Sequence, residues 1–169
     1  MTHIDEECYR FEQIVWPWEK EVFVEMPEAR RLVKRVCEMF GVEHPTHIIR
    51  MHSWTIEGRY SRSRNRIQLR VGRNTGRCRA ETAIHETCHH VAYELHVQDD
   101  HGPCFRALLQ VANNWYAREH RLTTGAMPKA NDDLLTRFSE KAGYYECPTC
   151  GWIVPIDRRE RHNSLWGCE

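Results

Sequence analysis

Three stretches of the chain carry an apolar residue at every third or fourth position, the spacing of a helix that buries one face. This spacing predicts helices at 27–40, 79–96 and 103–119. Proline at the first turn and glycine just beyond the last are typical helix boundaries, and Pro27 and Gly41 fit the first helix in this way. The second helix is the longest apolar pattern near the middle of the chain and is the expected centre of the fold.

Between the first two helices the pattern changes to alternation, which predicts strands. A strand is expected at 47–52, and two more at 54–60 and 65–71, separated by the polar stretch 61–64. Because the last two are joined by so short a polar segment, they predict a β-hairpin. Helices and strands together indicate an α+β fold.

The remaining segments are less regular. The aromatic-rich N-terminal part, 4–24, predicts packing onto the main domain, with a short helix before Pro17. Residues 121–130 have the composition of a linker, and a short helix capped by Asn131 is expected at 132–142.

Length and composition set the scale of the molecule. Its 169 residues suit one compact domain with a small appendage, and 41% hydrophobic with 28% charged residues is typical of a folded chain rather than a disordered one. No apolar run reaches the roughly 18 residues of a membrane span. The 24 basic and 24 acidic residues cancel, so net charge indicates no partner.

The first ten residues lack the basic start and apolar stretch of a secretory signal. We therefore expect a protein of the cytoplasm, or one associated with the nucleoid or nucleus, and not a secreted protein. We also expect a monomer. Eight cysteines in a reducing compartment indicate buried thiols and metal ligands rather than disulfides.

The sequence His-Glu-Thr-Cys-His at 85–89 lies inside the second predicted helix. Side chains four apart share a helix face, so His85 and His89 can bind one zinc ion. Zinc lowers the pKa of a bound water from about 15.7 to about 7, and Glu86 can take the proton from that water as general base. Cys88 is expected to be a core thiol.

A catalytic zinc usually has a third protein ligand. The spacing of metzincins is absent, because Ala92 and Leu95 stand where a glycine and a histidine are required. His101 follows the helix end and precedes Gly102-Pro103, where the chain can turn back, so it is the expected third ligand.

Other side chains near the motif are weaker candidates for metal binding or catalysis. His96 points away from His89 on a continuous helix, and Glu94 and Glu119 are acidic alternatives for the third ligand. His90 is expected to pack rather than to bind metal. Tyr60 and His90 are candidates for oxyanion stabilisation, and Asp99 and Asp100 for orienting a ligand or merely for loop solubility.

The two histidine motifs, 85–89 and His101-Gly102-Pro103-Cys104-Phe105, resemble those of the SprT-like zinc metallopeptidases, the family that includes Spartan. The resemblance covers roughly residues 28–169 and includes the hairpin before the helix. It implies a zincin-like domain, peptidase activity on protein substrates and, in Spartan-like members, substrates that are bound or crosslinked to DNA.

The C-terminal segment contains Cys147-Pro148-Thr149-Cys150-Gly151, a zinc-knuckle turn. A standard zinc ribbon has a second Cys-x-x-Cys pair, but here Leu165 replaces its first cysteine. His162 is the natural replacement, so the expected ligands of a structural zinc are Cys147, Cys150, His162 and Cys168. The expected division is 1–120 for the peptidase domain, 121–142 for a linker and short helix, and 143–169 for the ribbon.

Arginines are concentrated on the predicted hairpin. The candidates for nucleic-acid contact are Arg59, Arg62, Arg64, Arg66, Arg70 and Arg73. Such a cluster can neutralise phosphates, and a second cluster lies beside Trp152 and Trp166, an arrangement that suits single-stranded or distorted DNA. A solvated hairpin edge explains the same arginines.

The sequence therefore indicates a zinc-dependent peptidase with one catalytic and one structural zinc. Two other interpretations stay open: a non-catalytic module that binds zinc and DNA, and a metallohydrolase that acts on something other than peptides.

Overall fold

The structure is a computed structural model and describes residues 6–10, 17–123, 131–146, 149, 153–155 and 159–167. The described strands are β1 (Glu6–Arg10), β2 (Phe23–Glu25), β3 (His47–Met51), β4 (Ile56–Ser61), β5 (Arg66–Arg70), β6 (Arg77–Arg79), β7 (Tyr144–Glu146) and β8 (Ile153–Pro155). The described helices are α1 (Met26–Met39), α2 (Ala80–Glu94), α3 (Pro103–Glu119), α4 (Asp132–Lys141) and α5 (Arg159–Trp166). The fold is α+β, as the sequence predicts.

The predicted helix boundaries agree closely with the structure. Helix α1 begins at Met26 with proline next to it, and Gly41 beyond its end has a φ of 70°, which favours glycine. Helix α3 occupies the predicted range. At α4 the side chain of Asn131 accepts the backbone N–H groups of Asp133 and Leu134, so the predicted cap is confirmed.

The main sheet has four strands in the order β1-β4-β5-β3. Strands β4 and β5 pair antiparallel, with Gly58 opposite Leu69, which confirms the hairpin. Strand β3 pairs parallel to β5, and β1 pairs antiparallel to the other side of β4. Strand β4 therefore lies inside the sheet, and β1 forms its edge.

One face of the sheet packs against the helices. On β5 the buried residues Ile67 and Leu69 alternate with half-buried polar ones, so their side chains belong to the core while Arg66 and Arg70 lie on the opposite face. Helix α2 is buried from Ala80 to Ala92. The sequence predicts an amphipathic helix here, but the structure surrounds α2 with α1, α3 and the sheet.

The N-terminal segment begins with a strand, residues 6–10, which the sequence does not predict. Residues 11–16 lie outside the described part of the chain, so the short helix expected before Pro17 stays a prediction. The predicted packing of this segment onto the domain is confirmed at Trp18, which is buried beside Tyr116 and donates its indole N–H to the carbonyl oxygen of Asn113 at 3.2 Å.

The C-terminal segment forms the antiparallel pair β7–β8 followed by α5. Helix α4, which precedes it, packs against α3, and Leu135 and Phe138 join the hydrophobic core. None of the described helices is both long enough and apolar enough to cross a membrane.

Candidate metal centre

Two of the three predicted zinc ligands lie on the central helix. His85 and His89 are one turn apart on α2 and are both buried, with 8% and 3% of their surface exposed. Because neighbouring elements cover the helix on every side, these imidazoles have fixed surroundings. Cys88, between them, is fully buried as predicted, and burial raises the pKa of its thiol.

The third histidine comes from the loop between α2 and α3. Helix α2 ends at Glu94, and His96 beyond it adopts a left-handed backbone conformation, with φ 58°. The chain then turns, and the Gly102 N–H donates to the carbonyl oxygen of Asp99 at 2.9 Å. This turn returns His101 to the two helical histidines.

Asp99 fixes the turn at the start of α3. Its carboxylate accepts the backbone N–H groups of Cys104 at 2.7 Å and Phe105 at 3.0 Å, two of the donors that a helix N-terminus leaves unpaired. A Cβ on Gly102 would lie 2.8 Å from the same carboxylate, so the close approach requires glycine. Asp99 therefore orients the loop through the backbone.

The three imidazoles converge through their Nε2 atoms. The distances are 3.2 Å between His85 and His89, 3.3 Å between His85 and His101, and 3.2 Å between His89 and His101. A neutral ring nitrogen either donates or accepts, so three nitrogens cannot satisfy all three contacts by hydrogen bonds. Four-coordinate zinc with bonds of about 2.0–2.1 Å places its ligand nitrogens about 3.3–3.4 Å apart, which fits this triangle.

Burial also keeps the helical ligands in the form that binds metal. The pKa of His85 lies well below the usual value, first because of burial and then because of the neighbouring His89 and His101. Burial, together with His101, lowers the pKa of His89 to about 3. Both rings are therefore neutral at physiological pH, with a lone pair available for a cation. In the described part of the chain, this is the one cluster of three or more potential ligands that could hold a metal ion.

Aromatic rings surround the triangle. Phe105 is buried and contacts all three imidazoles, with its ring stacked on His89 at a centroid distance of 4.3 Å. On the other side Tyr9 stacks on His85 at 3.8 Å, with the two rings within 3° of parallel. The side chain of His101 is 42% exposed, so the cluster has one open side.

Glu86, the predicted base, is fully buried next to His85 on α2. Strand β4 passes it at Gly58, where an added Cβ would lie 2.7 Å from Glu86 Oε1 and 2.6 Å from the methyl group of Thr82. Only glycine allows this approach, so the sheet and the helix together confine the carboxylate.

The other candidates near the motif do not join the cluster. Neither His96 nor the carboxylates of Glu94 and Glu119 belongs to the three-histidine group. His90 donates from Nε2 to the carbonyl oxygen of Glu43 at 2.7 Å, and its Nδ1 lies 3.4 Å from the hydroxyl of Tyr60. His90 therefore packs, as predicted, and it contacts the other oxyanion candidate.

The predicted structural zinc site cannot be assembled from the described residues. Cys147, Cys150 and Cys168 lie outside them. His162 is described and is buried on α5, in a helix whose other residues are exposed or half-buried.

The predicted nucleic-acid contacts fall into three groups. Arg59, Arg64 and Arg66 lie on β4, β5 and the turn between them. Arg62 donates to the side chain of Gln98 at 3.2 Å and lies over the ring of Tyr93, while Arg73 lies 4.5 Å above the exposed ring of Trp54. The remaining arginine, Arg70, forms a 2.9 Å ion pair with buried Glu57, so its charge is compensated within the fold.

Two residues of the centre, Tyr9 and Gly58, are absent from the set that the sequence assigns to it, because they reach the site only through tertiary packing. Phe105 belongs to the second histidine motif, but its contact with all three imidazoles is a finding of the structure. Asp99 can be noticed in the sequence, because it is an acidic residue shortly before a helix that begins with proline. Its role nevertheless depends on the turn, which only the structure shows.

No family model matches the sequence, and comparisons with curated proteins and with solved structures give no significant match.

Proposed function

We propose that the protein is a zinc-dependent peptidase whose metal is held by His85, His89 and His101. The observation that carries the proposal is the triangle of ring nitrogens, 3.2–3.3 Å on each side, with a buried glutamate adjacent to one ligand on the same helix. The histidine spacing and the buried Glu86 together match the residues that zinc-assisted hydrolysis requires.

Each residue has a defined task in this proposal. The three imidazoles would hold the ion, and a bound zinc would supply a water whose pKa is lowered to about 7. Glu86 would act as the base that takes a proton from the attacking water, and then as the acid that delivers it to the leaving amine. Phe105 holds the imidazoles in place by packing against all three rings.

The resemblance of the two histidine motifs makes the SprT-like metallopeptidases the favoured class. In that class the domain is zincin-like, and the arrangement of β4 and β5 before the motif helix supports this assignment. We also propose that 1–120 forms the peptidase domain, 121–142 the linker and short helix, and 143–169 a zinc ribbon with ligands Cys147, Cys150, His162 and Cys168.

Association with DNA is the second part of the proposal. Arg59 and Arg66 are both half-buried on strands of the main sheet, and Arg64 extends from the turn that joins them. Trp54 is 79% exposed and carries Arg73 above its ring, a pairing that can stack on an unpaired base. These features support the binding of single-stranded or distorted DNA. Under this proposal the substrates are DNA-associated or DNA-crosslinked proteins.

The decisive variant is Glu86→Gln, which keeps the size of the side chain and removes the base. We expect it to retain zinc and thermal stability, while cleavage of a protein crosslinked to single-stranded DNA falls by at least about 100-fold. Glu94→Gln, on the same helix but exposed, is the matched control and should cleave normally. Unchanged cleavage by Glu86→Gln would remove Glu86 as the base.

Zinc content tests the metal sites separately. Elemental analysis should give about two zinc ions per chain if both sets bind, with His89→Ala losing one and Cys147→Ser losing the other. A wild-type chain that keeps DNA binding and zinc but cleaves neither free nor crosslinked protein would favour the non-catalytic module. Hydrolysis of a non-peptide ester without peptide cleavage would favour another metallohydrolase.

A further inference from the structure

The edge strand of the main sheet crosses the metal centre. Strand β1 pairs antiparallel with β4, with Tyr9 opposite Gly58 and Cys8 opposite Arg59, and the register shifts between Tyr9 and Arg10. Without β1, the backbone N–H and C=O groups along that side of β4 would be open to another extended segment. Pairing of this kind is how sheet edges bind peptides.

Tyr9 is the point at which β1 contacts the site. It is 5% exposed and stacks face to face on His85. Although Tyr9 is buried, it does not belong to the contiguous hydrophobic cluster, which in the described chain begins at Trp18. Departure of Tyr9 would therefore uncover His85 without removing a member of that cluster.

The same position is where β4 comes closest to the base. Gly58, directly opposite Tyr9, is the residue whose added Cβ would touch Glu86. The exposed side of the cluster is at His101, whereas the side facing β4 is covered by Tyr9. A peptide that approached Glu86 in extended form along β4 would need the place that β1 occupies.

We propose that β1 is an intramolecular inhibitory strand, which competes with an extended peptide for the free edge of β4. The proposal rests on the metal-dependent peptidase proposed above and adds the location and conformation of its substrate. In this arrangement β1 must leave β4 before a peptide can bind across the metal centre, and the paired state keeps the open form a minor population.

A reversible crosslink tests the proposal in the full chain. Because Cys8 lies directly opposite Arg59, Arg59→Cys places two cysteines at a cross-strand position within the Cα separation that a disulfide needs. Oxidation then fixes β1 on β4, and reduction releases it. Arg59→Ser, which cannot form the bond, is the matched control.

The probes are two hydroxamates added to the zinc-loaded, DNA-free protein, with binding measured by calorimetry. Trialanine hydroxamate requires the β4 edge, whereas acetohydroxamate is small enough to reach the metal from the open side at His101. We expect oxidation to lower the affinity of Arg59→Cys for trialanine hydroxamate by at least about tenfold and to leave its affinity for acetohydroxamate unchanged. In Arg59→Ser, oxidation should change neither affinity.

The outcomes are distinct. Equal affinity of oxidised and reduced Arg59→Cys for trialanine hydroxamate, with acetohydroxamate bound, overturns the inhibitory strand alone. Failure of both hydroxamates to bind overturns the metal centre and the strand together. A second variant, Tyr9→Ala, removes the contact with His85 without a crosslink and should bind trialanine hydroxamate several-fold more tightly; weaker or equal binding contradicts the proposal.

Discussion

The carboxylate of Asp99 accepts the backbone N–H of Phe105 at 3.0 Å, and this bond connects the loop of His101 to the residue whose ring packs against all three histidines. The loop that carries His101 is therefore attached to the start of α3 by hydrogen bonds. A change in this turn would displace His101 from the triangle.

We predict that Asp99→Ala weakens zinc binding by about 10–100-fold, the usual effect of removing a residue that orients a metal ligand. The two helix donors at Cys104 and Phe105 lose their acceptor, so the loop no longer fixes His101. Zinc affinity can be measured by competition with a chromogenic chelator.

Asp100→Asn is the control for this prediction. Its carboxylate is 73% exposed and 3.7 Å from His101 Nδ1, and asparagine tolerates the φ of 59° at this position. We expect its zinc affinity to stay within about threefold of wild type, because a neutral, zinc-binding His101 forms no ion pair with Asp100 and 3.7 Å is too long for an orienting hydrogen bond. A larger loss in Asp100→Asn than in Asp99→Ala would show that the ligand is oriented by charge and not by the turn.

A second prediction concerns the contact between β4 and α2. Gly58→Ala places a Cβ 2.7 Å from Glu86 Oε1 and 2.6 Å from the Thr82 methyl, so the carboxylate or the strand must shift. We expect a stability loss of about 1–3 kcal/mol and a fall in kcat of at least about tenfold, with zinc retained.

The matched control is Gly72→Ala. Its Cβ would lie 2.6 Å from the hydroxyl oxygen of Thr75, an exposed side chain away from the centre, which can rotate aside. Urea unfolding and peptidase assays of both variants separate a local effect on Glu86 from a general effect of filling a glycine. Normal turnover by Gly58→Ala would mean that Glu86 does not need this confinement.

The sequence predicts local elements well here, because each has a local cause. Helix α3 follows from its periodicity and from Pro103, and the cap of α4 follows from Asn131. The histidine pair on α2 is likewise determined by spacing on one helix. The prediction of His101 as a ligand required one further inference, that the chain turns before Pro103. In the structure His101 lies beside His85 and His89.

The parts that the sequence did not predict depend on contacts between distant segments. Strand β1 forms because β4 offers it an edge, and its five residues alone do not indicate a strand partner. Tyr9 reaches His85 only through that pairing. The burial of α2 on all sides follows from the packing of α1, α3 and the sheet, which no window of the sequence contains.

A third prediction tests the proposed binding of DNA. Arg64→Ala with Arg66→Ala should weaken binding of oligo(dT) uniformly and lower the slope of log K against log salt by about 0.7 for each phosphate that the variant no longer neutralises. Fluorescence anisotropy over a salt series gives both values. The control pair is Arg31→Ala with Lys34→Ala, exposed residues of α1, which packs on the other side of the sheet. Equal losses in the two pairs would indicate a general charge effect without a defined interface.

The last prediction concerns a buried charge cluster at the start of α2. Arg79 lies 3.3 Å from Glu57 and 3.9 Å from Glu81, and all three side chains are almost fully buried. Arg70 also pairs with Glu57 at 2.9 Å, so Glu81 has the longer of the two contacts with Arg79. Burial raises the pKa of Glu81 from the usual 4.5 to about 7; Arg79 opposes this shift, while Glu57 adds to it.

Because the folded pKa of Glu81 is raised, its favourable contribution to stability is complete below pH 4.5 and is lost as the pH rises through about 7. A difference of this size corresponds to about 3 kcal/mol. The free energy of unfolding of wild type minus that of Glu81→Gln should therefore fall by about that amount between pH 4.5 and pH 8. Urea denaturation of the zinc-free proteins measures it, and the subtraction removes the opposite effect of the histidines with lowered pKa. A constant difference across this range would show that Glu81 has the same pKa in the folded and the unfolded chain, with Arg79 compensating fully for its burial.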